Sequence, residues 1–177
     1  MSATVATTYF GGLGSVVEPD EDAEVLAVVR YPQDFVERVT DRTVPALAPP
    51  EDLLQAFKAV EGAAEKDENV LNPSEVAWRS VGFEDRYRDY LARKGQQQVL
   101  DSVRERLREH VDVWLVCWEK DVRYCHRRLL ADVLVDGLDV DVEHYPAPDE
   151  IEDPEPEDDV DDEPRPVSLS DFNGGER

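Results

Sequence analysis

VDVWLVCWEKDVRYCHRRLLADVL, residues 111–134, contains the clearest strand-to-helix transition in the chain. An apolar run ends abruptly at Glu119, and a helical pattern opens a few residues later on Cys125-His126-Arg127. In open α/β sheets, ligands bind beyond the carboxyl ends of the strands, where helix N-termini present unpaired amides. The stretch therefore predicts an α/β fold and places a candidate site at its turn.

The remaining pattern predicts the other elements of one α/β domain. Residues 4–10 and 24–30 have the composition of buried strands, and the alternation in residues 139–145 predicts a strand nearer a sheet edge. Helical spacing predicts helices from Pro50, from Ser74 to an interruption at Gly95, around residues 99–107 and over 125–135. The helix from Ser74 should carry one stripe, Phe83, Tyr87, Tyr90 and Leu91. We predict a compact single domain, residues 1–145, with a mostly parallel sheet flanked by helices.

The C-terminal segment has a different composition. Between Pro146 and Pro166, acids and prolines dominate and almost nothing apolar remains. Burial could therefore not offset the entropy lost on ordering this segment. We predict that residues 146–177 are an acidic, mostly disordered tail, whose end could dock only through Leu169 and Phe172.

The charge of the chain limits its partners and suggests its environment. A net charge of -23 disfavours bulk binding to nucleic acid or to an anionic membrane. Acidic residues also fill the helical segments, while lysine is scarce and arginine plentiful. A salt-rich cytoplasm suits such a surface because its ions screen the self-repulsion, so we predict a halophilic protein.

Two cysteines, Cys117 and Cys125, are too few for a disulfide scaffold and are interpreted as reduced thiols. The N-terminus has no basic segment followed by an apolar core, and no run approaches the roughly 18 apolar residues of a membrane span. We expect a cytoplasmic protein without a membrane segment. Its oligomeric state stays open.

The helix start at residue 125 supplies three candidate site residues. Cys125 lies in the first turn, where helix amides and nearby arginines would lower its pKa as reactive thiols require, although a small buried cysteine is the alternative. His126 shares a face with Leu129 and Leu130, which favours an inward histidine held by one hydrogen bond. Arg127 is a cation at the positive end of the helix dipole, which is unfavourable, so it needs a partner. That partner could be Glu119, Asp121 or a bound anion.

Two strand ends supply the other candidates. Glu119 follows the apolar strand directly, and Arg30 ends the second strand in the same way. If the two strands are neighbours in the sheet, both side chains project into one crevice.

Three motif interpretations are disfavoured. Cys117 and Arg123 have the C-x5-R spacing of phosphatase loops, but the intervening WEKDV contains two acids and no glycine. Zinc held by Cys117, Cys125, His126 and Glu119 is not expected because the usual C-x2-C or H-x3-H pairs are missing. The GGLGS turn lacks the G-x-G-x-x-G fingerprint. We therefore expect no metal and no cofactor.

The segment LVCWEKDVRYCHRRLLADVL resembles the "LLC-x-E … CHR-xx-(L/I)A" signature of the domain-of-unknown-function 488 family. TTYFGGLGS is similar to its first strand and turn, VVRYP to its "D-V-R-x-x-P" strand end, and LAPPEDLLQAF to its "APS-x-x-L" helix. Its "W-x-x-F/Y-x-x-x-Y" helix is matched by Trp78, Phe83 and Tyr87. The resemblance spans Thr4 to Tyr145, with Val28 where the family pattern has an acid. It implies a compact α/β domain of uncharacterised activity, with Glu119 and Cys125-His126-Arg127 at its site.

Three functional hypotheses follow. The leading one is an uncharacterised α/β protein that binds a small anionic ligand, such as a nucleotide, at the strand carboxyl ends. Its residues would be Arg127 and Arg30 on the anion, Glu119 orienting polar groups, Cys125 lining the pocket and His126 bracing it. The alternatives are an enzyme with Cys125 as nucleophile and an interaction module that uses the acidic tail.

Overall fold

The computed structural model describes residues 2–155 of the 177-residue chain. Five strands form one wholly parallel sheet in the order β3-β2-β4-β1-β5. The strands are β1 Thr4–Tyr9, β2 Glu24–Ala27, β3 Arg42–Thr43, β4 Val113–Cys117 and β5 Asp141–His144. The predicted α/β fold with a mostly parallel sheet is confirmed.

Helices cover the sheet and connect its strands, as parallel pairing requires. Within the described residues they are α1 Val36–Val39, α2 Glu51–Ala64, α3 Pro73–Ser80, α4 Phe83–Leu91, α5 Lys94–Arg108 and α6 His126–Val135. Local chemistry explains several of their starts. For example, the Asn72 side chain accepts a hydrogen bond from the amide of Glu75 at 3.0 Å, and acids Glu51 and Asp52 lie at the positive end of α2.

The single helix expected from Ser74 is in fact two helices. Gly82 adopts a φ of 59°, a left-handed conformation that separates α3 from α4. The predicted aromatic stripe is buried, but it belongs to α4 alone. The interruption predicted at Gly95 lies at Ala92 and Arg93, between α4 and α5, and Gly95 itself is in the first turn of α5.

The topology brings three strand ends together. Strand β4 lies between β1 and β2, with Tyr9 beside Cys117 and Ala27 beside Val116. The amide of Val28 extends the β2 pairing by donating to the carbonyl of Val116 at 2.9 Å. The strands that precede Arg30 and Glu119 are therefore neighbours, as the crevice hypothesis required.

The last part of the described chain runs along one edge of the sheet. Strand β5 alternates exposed and half-buried residues, as predicted for a strand nearer an edge. Beyond it, a short 3-10 turn spans Pro148–Glu150, and Asp153 forms an ion pair with Arg123 at 2.7 Å. Most of the predicted tail, including Leu169 and Phe172, lies outside the described residues. No helix in the described part has the length and apolar character needed to cross a membrane.

Candidate functional site

A cavity of about 200 Å³ opens at the carboxyl ends of β2 and β4. Its wall is mainly apolar and aromatic, with Val29, Leu54, Phe57, Phe83, Trp118 and Tyr124 among its residues. Polar groups from several elements border the same space, namely Arg30, Lys58, Cys117, Glu119, Cys125 and His126. An apolar cleft with a few convergent polar groups is the usual form of a small-molecule site.

Two thiols meet at this cavity. Cys117 is the last residue of β4 and Cys125 immediately precedes α6, and their Sγ atoms lie 2.8 Å apart in hydrogen-bonding contact. Both cysteines are free and buried from bulk solvent. The loop between them folds back through a 3-10 turn, Val122–Tyr124, which is capped when Asp121 accepts a hydrogen bond from the amide of Arg123. The expectation of reduced thiols agrees with the structure, but their contact was not foreseen.

Arg127 lies fully buried beneath this loop. Its Nη1 donates to the carbonyl of Glu119 and to the Sγ of Cys117 at 3.2 Å, and its Nη2 donates to the carbonyl of Lys120 at 2.9 Å. Helical side chains lean toward the helix N-terminus, which directs this guanidinium back under the turn, where loop carbonyls need donors. Of the partners predicted for Arg127, Glu119 is contacted through its backbone carbonyl and not through its carboxylate, and Asp121 pairs with Arg123 instead. Arg127 itself does not line the cavity.

The surroundings shift the pKa values of the two thiols in opposite directions. Burial alone raises the pKa of Cys125, but the hydrogen bond from Cys117 and the charge of Arg127 outweigh it and place that pKa well below its ordinary value. For Cys117, burial and the neighbouring Cys125 raise the pKa well above its ordinary value. The start of α6 adds amide groups that favour charge on Cys125. These surroundings therefore favour the thiolate on Cys125 over the thiolate on Cys117.

His126 connects Cys125 to the sheet. Its Nε2 lies 2.7 Å from the carbonyl oxygen of Val28, which can only accept, so Nε2 carries the proton. The other ring nitrogen, Nδ1, faces the Sγ of Cys125 at 3.9 Å. The ring edge packs against Tyr87, with centroids 5.6 Å apart. His126 is thus an inward histidine with one satisfied nitrogen, and its other nitrogen faces the thiol.

The predicted strand-end residues both reach the cavity. Arg30 donates through Nε to the carbonyl of Pro49 at 2.9 Å and through Nη2 to the hydroxyl of Tyr90 at 3.4 Å. The Glu119 carboxylate, which is half exposed, pairs with Lys58 at 3.4 Å. Four of the five predicted site residues, Arg30, Glu119, Cys125 and His126, therefore border one cavity, and Arg127 supports it from below.

A family model described as the active DUF488-N3 subclade matches residues 9–137. The chain belongs to this family. The matched range contains the whole cavity and all five predicted site residues, and it confirms the resemblance found in the sequence. No curated protein and no solved structure matches the chain.

The geometry of this DUF488-N3 domain bears on the C-x5-R motif and on the zinc interpretation. Arg123 turns away from Cys117 and pairs with Asp121 at 2.9 Å, so C-x5-R forms no anion cradle. The ligand atoms of Cys117, Cys125 and His126, however, lie within 4.8 Å of one another, although the usual metal-binding pairs are absent. Two thiolates on tetrahedral zinc, with bonds of about 2.3 Å, stand about 3.8 Å apart. The observed sulfur separation of 2.8 Å is shorter than this, so the two sulfurs as they stand do not have the spacing of a zinc-bound thiolate pair.

Two residues that line the cavity of this DUF488-N3 domain were not among the site residues predicted from the sequence. Lys58 lies on α2, far from the signature, and pairs with both Glu61 and Glu119. Cys117 lies inside the apolar run of β4, where its chemical role has no local signal. Only its position as the last residue of the strand, at the same sheet edge as Cys125, could have indicated the contact.

Proposed function

We propose that this DUF488-N3 protein is an enzyme that uses Cys125 as a nucleophile toward a small molecule held in the cavity. The observation that carries the proposal is the position of the Cys125 Sγ. Cys125 lines the cavity at the N-terminus of α6, and its Sγ lies 2.8 Å from a second thiol.

The surroundings of Cys125 have the organisation that activated nucleophiles need. A nucleophile requires a nearby base, and the base requires a third group that orients it. Here the carbonyl of Val28 holds the Nε2 of His126, which leaves Nδ1 facing the thiol. The 3.9 Å separation is longer than a strong hydrogen bond, as is common before a substrate closes the site.

The cavity favours a mainly apolar substrate with one polar end. Most of its wall consists of aromatic and aliphatic side chains, and its charged groups are Arg30, Lys58 and Glu119. Arg127 does not support the anionic-ligand hypothesis, because its two Nη atoms are directed at Cys117, Glu119 and Lys120 and it does not line the cavity. Any anionic group of the substrate would meet Arg30 and Lys58, whose charge Glu119 partly offsets.

Alkylation kinetics test the proposal. Reduced protein is reacted with iodoacetamide across a range of pH, and adducts are located by peptide mass spectrometry. We expect one fast-reacting thiol, Cys125, with an inflection well below the reference pKa of about 8.5. The fast phase should persist in Cys117→Ser and disappear in Cys125→Ser. An inflection at or above the reference value, or a fast phase located on Cys117, would contradict a Cys125 nucleophile.

A further inference from the structure

We propose that Cys117 and Cys125 form a redox-active dithiol that exchanges with a small organic disulfide bound in the cavity. The inference rests on the nucleophilic role proposed for Cys125 and adds a substrate class to it. The product on the protein is a Cys117–Cys125 disulfide, and the products from the substrate are two organic thiols.

The distance between the two sulfurs supports this inference. A disulfide bond is about 2.05 Å long, so the Sγ atoms, now 2.8 Å apart, need to approach by less than about 1 Å. The two cysteines lie on different elements, the end of β4 and the start of α6, and both face the cavity. A ligand in the cavity therefore lies against both cysteine residues.

The presence of a second thiol restricts the chemistry of the electrophile. A thiol at contact distance can displace a group attached to Cys125 when the bond is a sulfur–sulfur bond, and that displacement yields a protein disulfide. Attack on other electrophiles would use Cys117 only as a hydrogen-bond donor to Cys125 and not as a second nucleophile. The buried pair therefore fits a substrate whose adduct is a mixed disulfide.

The reaction is balanced in two steps. The Cys125 thiolate attacks one sulfur of the substrate disulfide, the substrate sulfur–sulfur bond breaks, and one organic thiolate leaves. The Cys117 thiol then gives its proton to that thiolate, and its sulfur attacks the Sγ of Cys125, which breaks the mixed disulfide and releases the second thiolate. The protein dithiol is oxidised by two electrons, and the substrate is reduced by two.

The local field supports this order of events. The negative charge on Cys125 is among the causes that hold the pKa of Cys117 well above its ordinary value, after burial. When Cys125 becomes part of a neutral mixed disulfide, that repulsion disappears. Arg127, whose Nη1 is 3.2 Å from the Sγ of Cys117, then favours the thiolate needed for the second step.

The experiment uses the full chain, reduced and kept with a chelator, and the aryl disulfide 5,5′-dithiobis(2-nitrobenzoic acid). The coloured thiolate is counted by absorbance and the protein is weighed by intact mass spectrometry. We expect wild type to release two thiolates per chain and to lose the mass of two hydrogens with no adduct. Cys117→Ser should release one thiolate and keep one aryl adduct on Cys125. Cys125→Ser should react far more slowly.

The outcomes separate this inference from the function proposed above. If wild type retains aryl adducts while Cys125 still alkylates rapidly at low pH, the nucleophile stands and the dithiol is wrong. If Cys125 is slow toward both reagents, both proposals are wrong. The thiolate count and the intact mass of wild-type protein show whether the internal disulfide forms. This result does not depend on the folding of a variant. Treatment with excess dithiothreitol should restore both thiols, and failure to do so would contradict reversible exchange.

Discussion

Arg127 binds the backbone of Glu119 and leaves the carboxylate of Glu119 to Lys58. The buried guanidinium of Arg127 therefore holds the loop that follows β4, while Glu119 of that loop lines the cavity. The same guanidinium places its charge beside the two thiols. The stability of the loop and the acidity of Cys125 are thus coupled through one side chain.

Arg127→Met should lower the free energy of unfolding by about 3 kcal/mol, because two loop carbonyls lose hydrogen bonds from a charged donor. It should also move the alkylation inflection of Cys125 to higher pH. Urea unfolding and pH-dependent alkylation measure the two effects. The matched control is Arg123→Met, which breaks ion pairs with Asp121 and Asp153 nearer the surface and should cost at most about 1 kcal/mol. Equal losses in the two variants would contradict the role given to Arg127.

His126→Gln should slow alkylation of Cys125 near neutral pH. Glutamine can still donate to the carbonyl of Val28, but it supplies no ring nitrogen that can take the thiol proton. The pH profile of the alkylation rate measures the change. His144→Gln is the control, since His144 bonds to Thr7 on the β1–β5 side of the sheet and does not line the cavity. Similar pH profiles for the two variants would show that His126 does not activate Cys125.

The stability of the reduced protein should depend on pH through the two thiols. Because the folded pKa of Cys125 is lowered, its contribution is complete above the unfolded value of about 8.5 and is lost as pH falls through the folded value. Because the folded pKa of Cys117 is raised, its contribution is complete below about 8.5 and is lost as pH rises. The difference in unfolding free energy between wild type and the Cys117→Ser, Cys125→Ser double variant should therefore peak near that pH. A flat difference would show that the thiols are not perturbed.

Molar KCl should stabilise the protein. The chain has 42 acidic and 19 basic side chains, and its self-repulsion acts over a Debye length of about 30 Å at 0.01 M salt but about 3 Å at 1 M. We expect the thermal midpoint to rise from dilute buffer to molar KCl, although ion pairs such as Arg42 to Glu24 weaken. Scanning calorimetry at both salt concentrations measures this. Equal midpoints would contradict the halophilic interpretation.

Removal of residues 156–177 should leave the alkylation rate of Cys125 unchanged, because the family match and the cavity lie within residues 9–137. If the tail is an interaction segment, the full chain should bind polylysine more tightly than the shortened chain, because of the acids that the deletion removes. Fluorescence anisotropy with labelled polylysine measures this difference. Equal binding by the two chains would contradict the interaction-module hypothesis, and a changed alkylation rate would contradict a self-sufficient domain.

Local pattern was enough to place most elements of this fold. Apolar runs predicted β1, β2 and β4, and helical periodicity predicted α2, α5 and α6, because these elements bury contiguous or regularly spaced side chains. The break between α3 and α4 was missed, since a glycine inside a helical pattern can either be tolerated or end the helix, and only the structure shows the positive φ of Gly82. The two-residue strand β3 was missed because so short an element has no periodicity.

The sequence by itself determined that the domain is α/β and that its candidate site lies where β4 leads into α6. The signature residues Glu119, Cys125 and His126 all line the cavity there, because strand ends and helix starts follow from chain order. Only the tertiary structure decided which groups touch. The Cys117–Cys125 contact, the burial of Arg127 under the loop and the approach of Lys58 from α2 depend on how distant segments pack, and packing is a long-range property that spacing along the chain does not encode.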